Sequence, residues 1–297
     1  MPILRVDESG EKSMQLIVNA DDFGLSHSVN SAILQAHERG ILTSAGLMIA
    51  GLAVDEAVDL ARSTPTLAVG LHLVMVNGHA ASLPGKIPHL VDREGRFPDN
   101  PLVSGLRAIS SAAAREETRR ELEAQFARFA TTGLALDHVD SHLHYYVHPF
   151  IFPIVLHLAV RHNAAGIRLP HDQLSLGLKS DPSRPIRKTA LAGVFSMFKR
   201  VYLPKVQQAG LVVAERVFGL LGSGAMTENY MINLLNNVQV ATAEIYFHPD
   251  TEGGGPDLGP NPGDLATLLS SPVRLVIDQK GIQLSSYSRM SAQIRCL

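Results

Sequence analysis

Several residue types that build common sites are scarce or missing in this chain of 297 residues. Its one cysteine, Cys296, can form neither an internal disulfide nor a zinc site made of cysteines. Tryptophan is absent and aromatic residues make up 5% of the chain, which excludes a sugar-binding platform built on tryptophan. No run of 18 apolar residues occurs, so the sequence predicts no membrane-spanning helix.

The charge balance is nearly even, with 26 Lys and Arg against 28 Asp and Glu and a net charge of −2. This balance gives no electrostatic reason to expect a nucleic acid as partner. The first residues, 1–13, contain no apolar stretch or small-residue cleavage site typical of a secretory signal. We therefore expect a cytoplasmic globular protein, with residues 1–297 forming a single domain.

Short apolar runs alternate with helical patterns along most of the chain. Residues 16–20 read LIVNA, a strand pattern, and the apolar residues Val29, Ala32, Ile33 and Ala36 then recur on one helix face up to Gly40. Further predicted elements follow, with strands at 43–50, 67–76, 134–140, 166–169, 243–247 and 273–277, helices at 54–62, 112–132 and 149–162, and a loop at 77–102. Alternating strands and helices indicate parallel βαβ units.

About seven such units in this length predict an α/β fold, an irregular TIM-like (β/α) barrel of seven or so parallel strands. An open doubly wound sheet is the alternative. Residues 172–237 break the alternation, and we interpret them as a mainly helical insertion or cap within the barrel domain. Basic residues and an apolar helical stripe that includes Phe195, Phe198 and Tyr202 lie inside this range. The stripe is typical of core packing, but an interfacial helix on an anionic membrane is a second hypothesis.

Acidic and histidine side chains follow the predicted strands. Asp21 and Asp22 end the first strand, His72 lies in the third, residues 137–144 read DHVDSHLH, and His248 follows a late strand. Because the carboxyl ends of parallel strands meet at one edge of the sheet, we expect these side chains to converge.

A carboxylate and two imidazoles can hold a divalent metal, a second carboxylate can act as base, and a separate histidine can act as acid. In an extended segment His142 and His144 would point to one side, together with His138 and Asp140. Each residue also has a structural interpretation. Two aspartates after a strand often form a turn or helix cap, and a lone histidine in an apolar strand is usually hydrogen-bonded in the core.

Four segments together resemble the YdjC family of carbohydrate deacetylases. They are residues 17–24 (IVNADDFG), 70–73 (GLHL), 140–144 (DSHLH) and 248–249 (HP). Their order and spacing match over about residues 15–290. Residues 69–75, 87–97, 132–139 and 223–227 further resemble one branch, the hopanoid-biosynthesis-associated deacetylases. Leu143 departs from the family pattern, which has a polar residue or histidine there.

The resemblance implies a (β/α) barrel that hydrolyses the N-acetyl group of an amino sugar. It implies one divalent metal ion, Mg²⁺ or Zn²⁺, bound by Asp22, His72 and His142. It also implies Asp21 as the base, His248 as the acid, and Arg168 as the residue that keeps the base ionised. Asp140 and His144 are expected near the metal or the substrate.

Two other classes of function remain open from the sequence. The first is a glycoside hydrolase with Asp21 and Asp140 as its paired carboxylates. The second is a non-catalytic sugar- or lipid-binding barrel. The expected partner is an N-acetylated amino sugar or glycolipid, which includes a sugar carried on a hopanoid. Peripheral contact with the inner face of the membrane and a homodimer are further expectations, and no nucleic acid is expected.

Overall fold

The computed structural model describes residues 13–224, 226–253 and 259–295, so Cys296 lies outside the described residues. Its strands form one sheet in which every pair is parallel. The strands are β1 (Gln15–Phe23), β2 (Ser44–Leu47), β3 (Ala68–Leu73), β4 (His138–Ser141), β5 (Gly166–Ile167), β6 (Arg216–Phe218), β7 (Thr242–Phe247) and β8 (Gln283–Ser285). Their order is β5-β4-β3-β2-β1-β7-β6, and β8 pairs with the start of β1.

Helices connect most of the strands. They are α1 (His27–Arg39), α2 (Val54–Ser63), α3 (Pro101–Ile109), α4 (Ala112–Thr131), α5 (Phe152–Arg161), α6 (Leu174–Ser180), α7 (Pro185–Gln208), α8 (Glu228–Asn237), α9 (Pro262–Leu268), α10 (Ser271–Gln279) and α11 (Tyr287–Arg295). Two short 3-10 helices lie at Pro84–Lys86 and His142–Val147. Among the described residues, no helix is both long enough and apolar enough to cross a membrane.

The first βα unit shows how the sequence builds these elements. β1 is buried on both faces after its first residue, as a central parallel strand should be. The Ser26 hydroxyl then accepts a hydrogen bond from the Val29 amide and starts α1. The predicted apolar face of α1 is buried. Gly40 follows the helix where a Cβ would collide with the carbonyl oxygen of Leu268.

The sheet curls, and this confirms the predicted TIM-like α/β fold. The Ile167 amide in β5 donates to the Val212 carbonyl, and the Val212 amide donates to the Ala165 carbonyl. The chain that leads into β6 therefore lies beside β5, at the opposite end of the strand order. The carboxyl ends of the strands share one end of this barrel.

The last predicted strand is wrong. Residues 273–277 lie inside the helix α10, and the strand that joins the sheet is β8, ten residues later. The Ser270 hydroxyl caps α10 by accepting from the Val273 amide, and Pro272 occupies its first turn. The predicted loop 77–102 contains a 3-10 helix and the first residues of α3.

The predicted helical insertion, 172–237, contains α6, α7 and α8, but also β6, which pairs with β7 as part of the barrel sheet. Its boundaries therefore stay a prediction. In α7 the rings of Phe195 and Phe198 pack against the hydrophobic core, and Tyr202 is buried. Three members of the apolar stripe that we considered for membrane contact thus face the barrel, while two others, Val194 and Val201, are exposed, as is Met197.

Candidate functional site

Six polar side chains that the sequence singled out meet at the carboxyl end of the barrel. Asp21 and Asp22 lie near the end of β1, His72 near the end of β3 and Asp140 near the end of β4. Arg168 directly follows β5, and His248 directly follows β7. Hydrogen bonds and ion pairs link them to one another.

An irregularity in β1 allows two consecutive carboxylates to point into the same site. The pairing with β2 slips between Ala20 and Phe23, so a bulge lies at the two aspartates. Asp22 has φ 66°, a left-handed conformation that is unfavourable for a residue other than glycine. Consecutive side chains of a regular strand point to opposite faces, and the bulge removes this restriction. The backbone strain, of order 1–3 kcal/mol, is typical of a functional position.

Asp22, His72 and His142 have the geometry of a metal-binding group. One ligand atom from each lies within 4.8 Å of the others. Asp22 Oδ1 is 3.4 Å from His72 Nε2 and 3.1 Å from His142 Nδ1. Asp22 Oδ2 and His72 Nε2 are buried and have no hydrogen-bond partner among the described residues. Buried polar atoms without hydrogen-bond partners are rare, and these two atoms could serve as ligands of a bound cation.

The far side of the His72 ring is held by Asp140. His72 Nδ1 lies 2.9 Å from Asp140 Oδ1, which leaves Nε2 directed at Asp22 and at the metal position. Burial alone would lower the pKa of His72, but the carboxylates of Asp140 and Asp21 raise it well above its usual value. Gly46 leaves room for this pair, because a Cβ there would lie 3.2 Å from both side chains.

The side chain of Arg168 holds Asp21, the aspartate that precedes Asp22. Its guanidinium is fully buried and donates two hydrogen bonds of 2.8 Å to the two carboxylate oxygens of Asp21. It also contacts Asp140 at 2.6 Å. Burial, the largest single cause, would raise the pKa of Asp21, but the charges of Arg168 and His72 and the Arg168 hydrogen bonds together lower the net pKa. Asp21 is thus held as an ionised, oriented carboxylate.

Glu244 and Tyr287 complete this buried network, and the sequence analysis missed both. The Arg168 Nε–H donates to Glu244 Oε1 at 2.8 Å, and the Tyr287 hydroxyl donates to Glu244 Oε2 at 2.6 Å. Tyr246 packs its ring 4.6 Å from the Arg168 guanidinium carbon. The available signal was Glu244 itself, a charged residue inside the otherwise apolar strand AEIYF.

The expectation that His138, Asp140, His142 and His144 share one side of an extended segment is wrong beyond Ser141. β4 ends at Ser141, and Leu143 and His144 both adopt φ 52° in the 3-10 helix that follows. The ring of His138 stacks on Tyr287, with centroids 5.3 Å apart. His144 Nε2 lies 2.9 Å from the Tyr246 hydroxyl, and burial lowers the His144 pKa to about 3. His144 is therefore a neutral buried side chain.

His248 lies at the edge of the group. Its Nε2 is 3.8 Å from Asp21 Oδ2, and its backbone amide donates to Asp264. Beside the metal-binding group is a cavity of about 370 Å³. Asp22 and His142 line it together with apolar side chains that include Leu25, Met48, Leu52, Val74 and Leu143, and with the polar side chains of Asn77, His79 and Arg96. This volume is sufficient for a small ligand.

The family model of YdjC-like proteins matches residues 15–279 of this chain. The chain is similar to a carbohydrate deacetylase of Geobacillus stearothermophilus, with 32% identity over 277 residues that cover 91% of this chain and 96% of that protein. A carbohydrate deacetylase of Brevibacillus brevis is 45% identical over 170 residues, which cover 55% of this chain and 65% of that protein.

A solved structure from Enterococcus faecalis V583, provisionally described as a cellobiose-phosphate cleavage protein, has the same overall fold. Its TM-score is 0.72 at 25% sequence identity, and the match covers 93% of this chain and 98% of that one. Three observations lead to the same family: the barrel fold, the order of the site segments along the chain, and the family match over 265 of the 297 residues. The resemblance to the hopanoid-associated branch stays a prediction. The chain belongs to the YdjC-like family.

Proposed function

We propose that the protein is a metal-dependent hydrolase that removes the acetyl group from an N-acetylated amino sugar. The observation that supports this most strongly is the pairing of two groups at one end of the barrel. A metal-binding group, Asp22, His72 and His142, lies beside Asp21, a carboxylate that Arg168 holds ionised. The relatives named carbohydrate deacetylases and the chitooligosaccharide deacetylase of Serratia marcescens, 38% identical over 143 residues, support the reaction class.

Asp22, His72 and His142 would hold the ion. When bound, a divalent metal would polarise the acetyl carbonyl and lower the pKa of water in the site. Two imidazoles with one carboxylate favour zinc or a similar transition metal, whereas magnesium prefers oxygen ligands. Of the two candidates, Zn²⁺ and Mg²⁺, we propose Zn²⁺ because the ligands include two imidazoles.

Two side chains would move the protons. Asp21 accepts a proton from the water that attacks the acetyl carbon, and Arg168 keeps its two oxygens oriented for this step. The carbon–nitrogen bond then breaks, and the nitrogen needs a proton because an amide anion is a poor leaving group. His248, 3.8 Å from Asp21, donates that proton. The products are acetate and a free amino sugar.

The buried charges argue against a glycoside hydrolase that uses Asp21 and Asp140. Such an enzyme needs one carboxyl group that stays protonated near neutral pH. Burial, the largest single cause, would raise the pKa values of both groups, but the charges of Arg168 and His72 and the hydrogen bonds to the two carboxylates together lower both. A non-catalytic carrier leaves the ionised Asp21 and the polar atoms without partners in the metal-binding group unexplained.

The cavity beside the metal-binding group supports a narrower substrate, an amino sugar that carries an apolar group, as in a hopanoid glycolipid. Leu52 and Leu143 line this cavity and are 83% and 47% exposed. Exposed leucines at a cavity mouth would contact the apolar part of the substrate. Peripheral membrane contact and a homodimer remain predictions, and the exposed side chains Met197 and Val201 on α7 are the surface to test for the former.

An acetate-release assay tests the proposal. The protein, loaded in turn with Zn²⁺ and Mg²⁺, is incubated with N-acetylglucosamine oligomers and with a lipid-linked N-acetylglucosamine. Release of acetate together with a mass loss of one acetyl unit from the sugar supports deacetylation. Cleavage between sugars without acetate release would establish the glycosidase instead. Replacing Leu52 and Leu143 by Ser should reduce the rate for the lipid-linked sugar more than the rate for the free oligomer.

A further inference from the structure

A second cavity lies at the other end of the barrel. It has a volume of about 730 Å³ and is lined by the first residues of three strands, Gln15 of β1, Arg216 of β6 and Thr242 of β7. The metal-binding group lies where the strands end, so the two sites are separate. A cavity of this volume matches those that hold small organic ligands.

Lys199 and Arg216 are two of the three cationic side chains that line this cavity, and neither has an ion pair among the described residues. Lys199, 8% exposed, is directed to the backbone carbonyl oxygens of Ala214 and Glu215. Arg216 donates to a ring nitrogen of His171 at 2.8 Å, so that histidine nitrogen carries no proton. Neither cation forms an ion pair with a carboxylate in the part of the chain that the structure describes.

Lys199 is unusual among the buried cations of the described residues, and Arg216 beside it is half-buried. Arg168 bonds to three carboxylates, and Lys188 bonds to Asp181. A buried charge without a counter-ion is costly, so proteins pair such groups. In this cavity, which we call the base cavity, Lys199 and Arg216 instead repel each other. Burial, the largest cause, and the Arg216 charge lower the pKa of Lys199 to about 8, although the Glu215 carboxylate acts in the opposite direction.

The carboxylates of Asp172 and Glu215 interact with these cations only through space, without an ion pair. Asp172 accepts hydrogen bonds from the backbone amides of Gln173, Gly219 and Leu221. Glu215 lines the cavity, and its carboxylate accepts from the Ala241 amide at 3.4 Å. Both cations line the cavity and neither carboxylate pairs with them, so an anion bound in the cavity would add the missing counter-charge.

We infer that the base cavity binds a small organic molecule through a phosphate group held by Lys199 and Arg216. A phosphate monoester carries up to two negative charges, which match the two cations. The hydroxyl groups of Thr242 and Ser291 line the same cavity and supply further donors. The cavity is much larger than a phosphate, and its wall includes Leu203, Val240 and Met290, so an apolar body would accompany the charged group.

Isothermal titration calorimetry of the full chain with phenyl phosphate tests this inference, with phenol as the neutral control ligand. Saturable binding of phenyl phosphate is expected, together with at least a tenfold weaker affinity for phenol. Lys199→Met and Arg216→Gln should each weaken phenyl phosphate binding by about tenfold or more, because each removes a charged hydrogen-bond donor. Arg200→Gln is the matched control, since Arg200 is exposed on the same helix, and its affinity should equal that of the wild type.

Circular dichroism shows whether each variant folds. If Lys199→Met does not fold, Arg216→Gln decides the result. No saturable binding to the wild-type chain, or equal affinity in wild type and Arg216→Gln, would overturn the inference. The readout is binding alone and needs neither metal nor substrate, so its outcome is independent of the proposed deacetylase activity.

Discussion

At the scale of single residues, Asp21 and Asp22 have the same side chain, adjacent positions and opposite environments. Asp22 Oδ1 faces the two imidazoles and Asp22 Oδ2 has no hydrogen-bond partner among the described residues, whereas both oxygens of Asp21 bond to Arg168. The bulge in β1 brings both into one site, and their surroundings separate their roles. A metal ion needs the free oxygen, and a general base needs an oriented one.

Asp21→Asn should therefore retain the metal and lose about 10²–10⁴-fold in kcat, because an amide cannot accept the proton. Asp22→Asn should lower the metal affinity, because it removes the charged ligand. Metal content by mass spectrometry and acetate release measure the two effects. Loss of metal in Asp21→Asn with retention in Asp22→Asn would reverse the two assignments.

Tyr287 and Tyr146 are two core tyrosines whose hydroxyl groups have different surroundings. Both rings are fully buried, but the Tyr287 hydroxyl donates to Glu244 and the Tyr146 hydroxyl has no hydrogen-bond partner in the described residues. Tyr287→Phe should cost about 1.5–3 kcal/mol of the free energy of unfolding, since a hydrogen bond to a charged group is lost.

Tyr146→Phe, the matched control, should be neutral or stabilising, because it removes a buried polar atom that makes no hydrogen bond. Urea denaturation measures both free energies. Equal losses in the two variants would show that the Tyr287–Glu244 contact contributes nothing specific.

The residues that the sequence revealed and those that it missed differ in a physical way. Asp21, Asp22, His72 and His248 follow apolar runs directly, so strand periodicity placed them at one edge. The partnership of Glu244 with Arg168 depends on the curl of the sheet, which no local pattern encodes. Tyr287 comes from the last described helix and reaches Glu244 only after β8 has joined β1.

At the scale of elements, the helix α10 shows why residues 273–277 gave a wrong strand. The letters VRLVI are short, apolar and β-branched, a pattern that strands and buried helix segments share. The deciding features lie just outside the run, where Ser270 caps the helix and Pro272 fits its first turn. Neighbouring cap residues outweighed the propensity of the run itself.

The helix α7 carries apolar side chains on two sides, and these sides should behave differently. Phe195 packs against His144, with ring centroids 5.6 Å apart, and Phe198 stacks on Tyr202 at 5.7 Å. Replacing both phenylalanines by Ser should lower the free energy of unfolding by about 1–3 kcal/mol for each ring, because partly buried apolar area is lost.

The matched control replaces Met197 and Val201, which are 55% and 51% exposed on the same helix, by Ser. This double variant should stay within about 0.5 kcal/mol of the wild type at each position. If the phenylalanine variant were as stable as the control but had lost binding to anionic vesicles, the stripe would face a membrane and not the barrel.

At the scale of the whole molecule, the metal-binding group links stability to pH. In the metal-free chain the carboxylates of Asp140 and Asp21 outweigh burial and raise the pKa of His72. Its contribution to stability is thus present below the unfolded pKa of about 6.5 and is lost as the pH rises through the raised folded pKa. The pKa of Asp22 is lowered, so Asp22 is already ionised near neutral pH.

A metal ion binds His72 Nε2 only after the proton has left the ring. Below the raised pKa, binding should therefore release a proton from His72, and the metal affinity should rise about tenfold per pH unit. By mass action, each tenfold step adds about 1.4 kcal/mol to the stability of the loaded chain. The metal should thus raise the melting temperature more at pH 8 than at pH 6.

Calorimetric titration of Zn²⁺ in two buffers with different ionisation enthalpies counts the released protons, and EDTA titrated in the same buffers provides the calibration. The metal-dependent shift in melting temperature is then measured at both pH values. An affinity that stays constant between pH 6 and 8, with no proton released, would show that His72 is already neutral in the metal-free chain. The Asp140–His72 contact would then orient the ring without keeping it in the doubly protonated, charged form. His72 would in that case make no pH-dependent contribution to folding in this range.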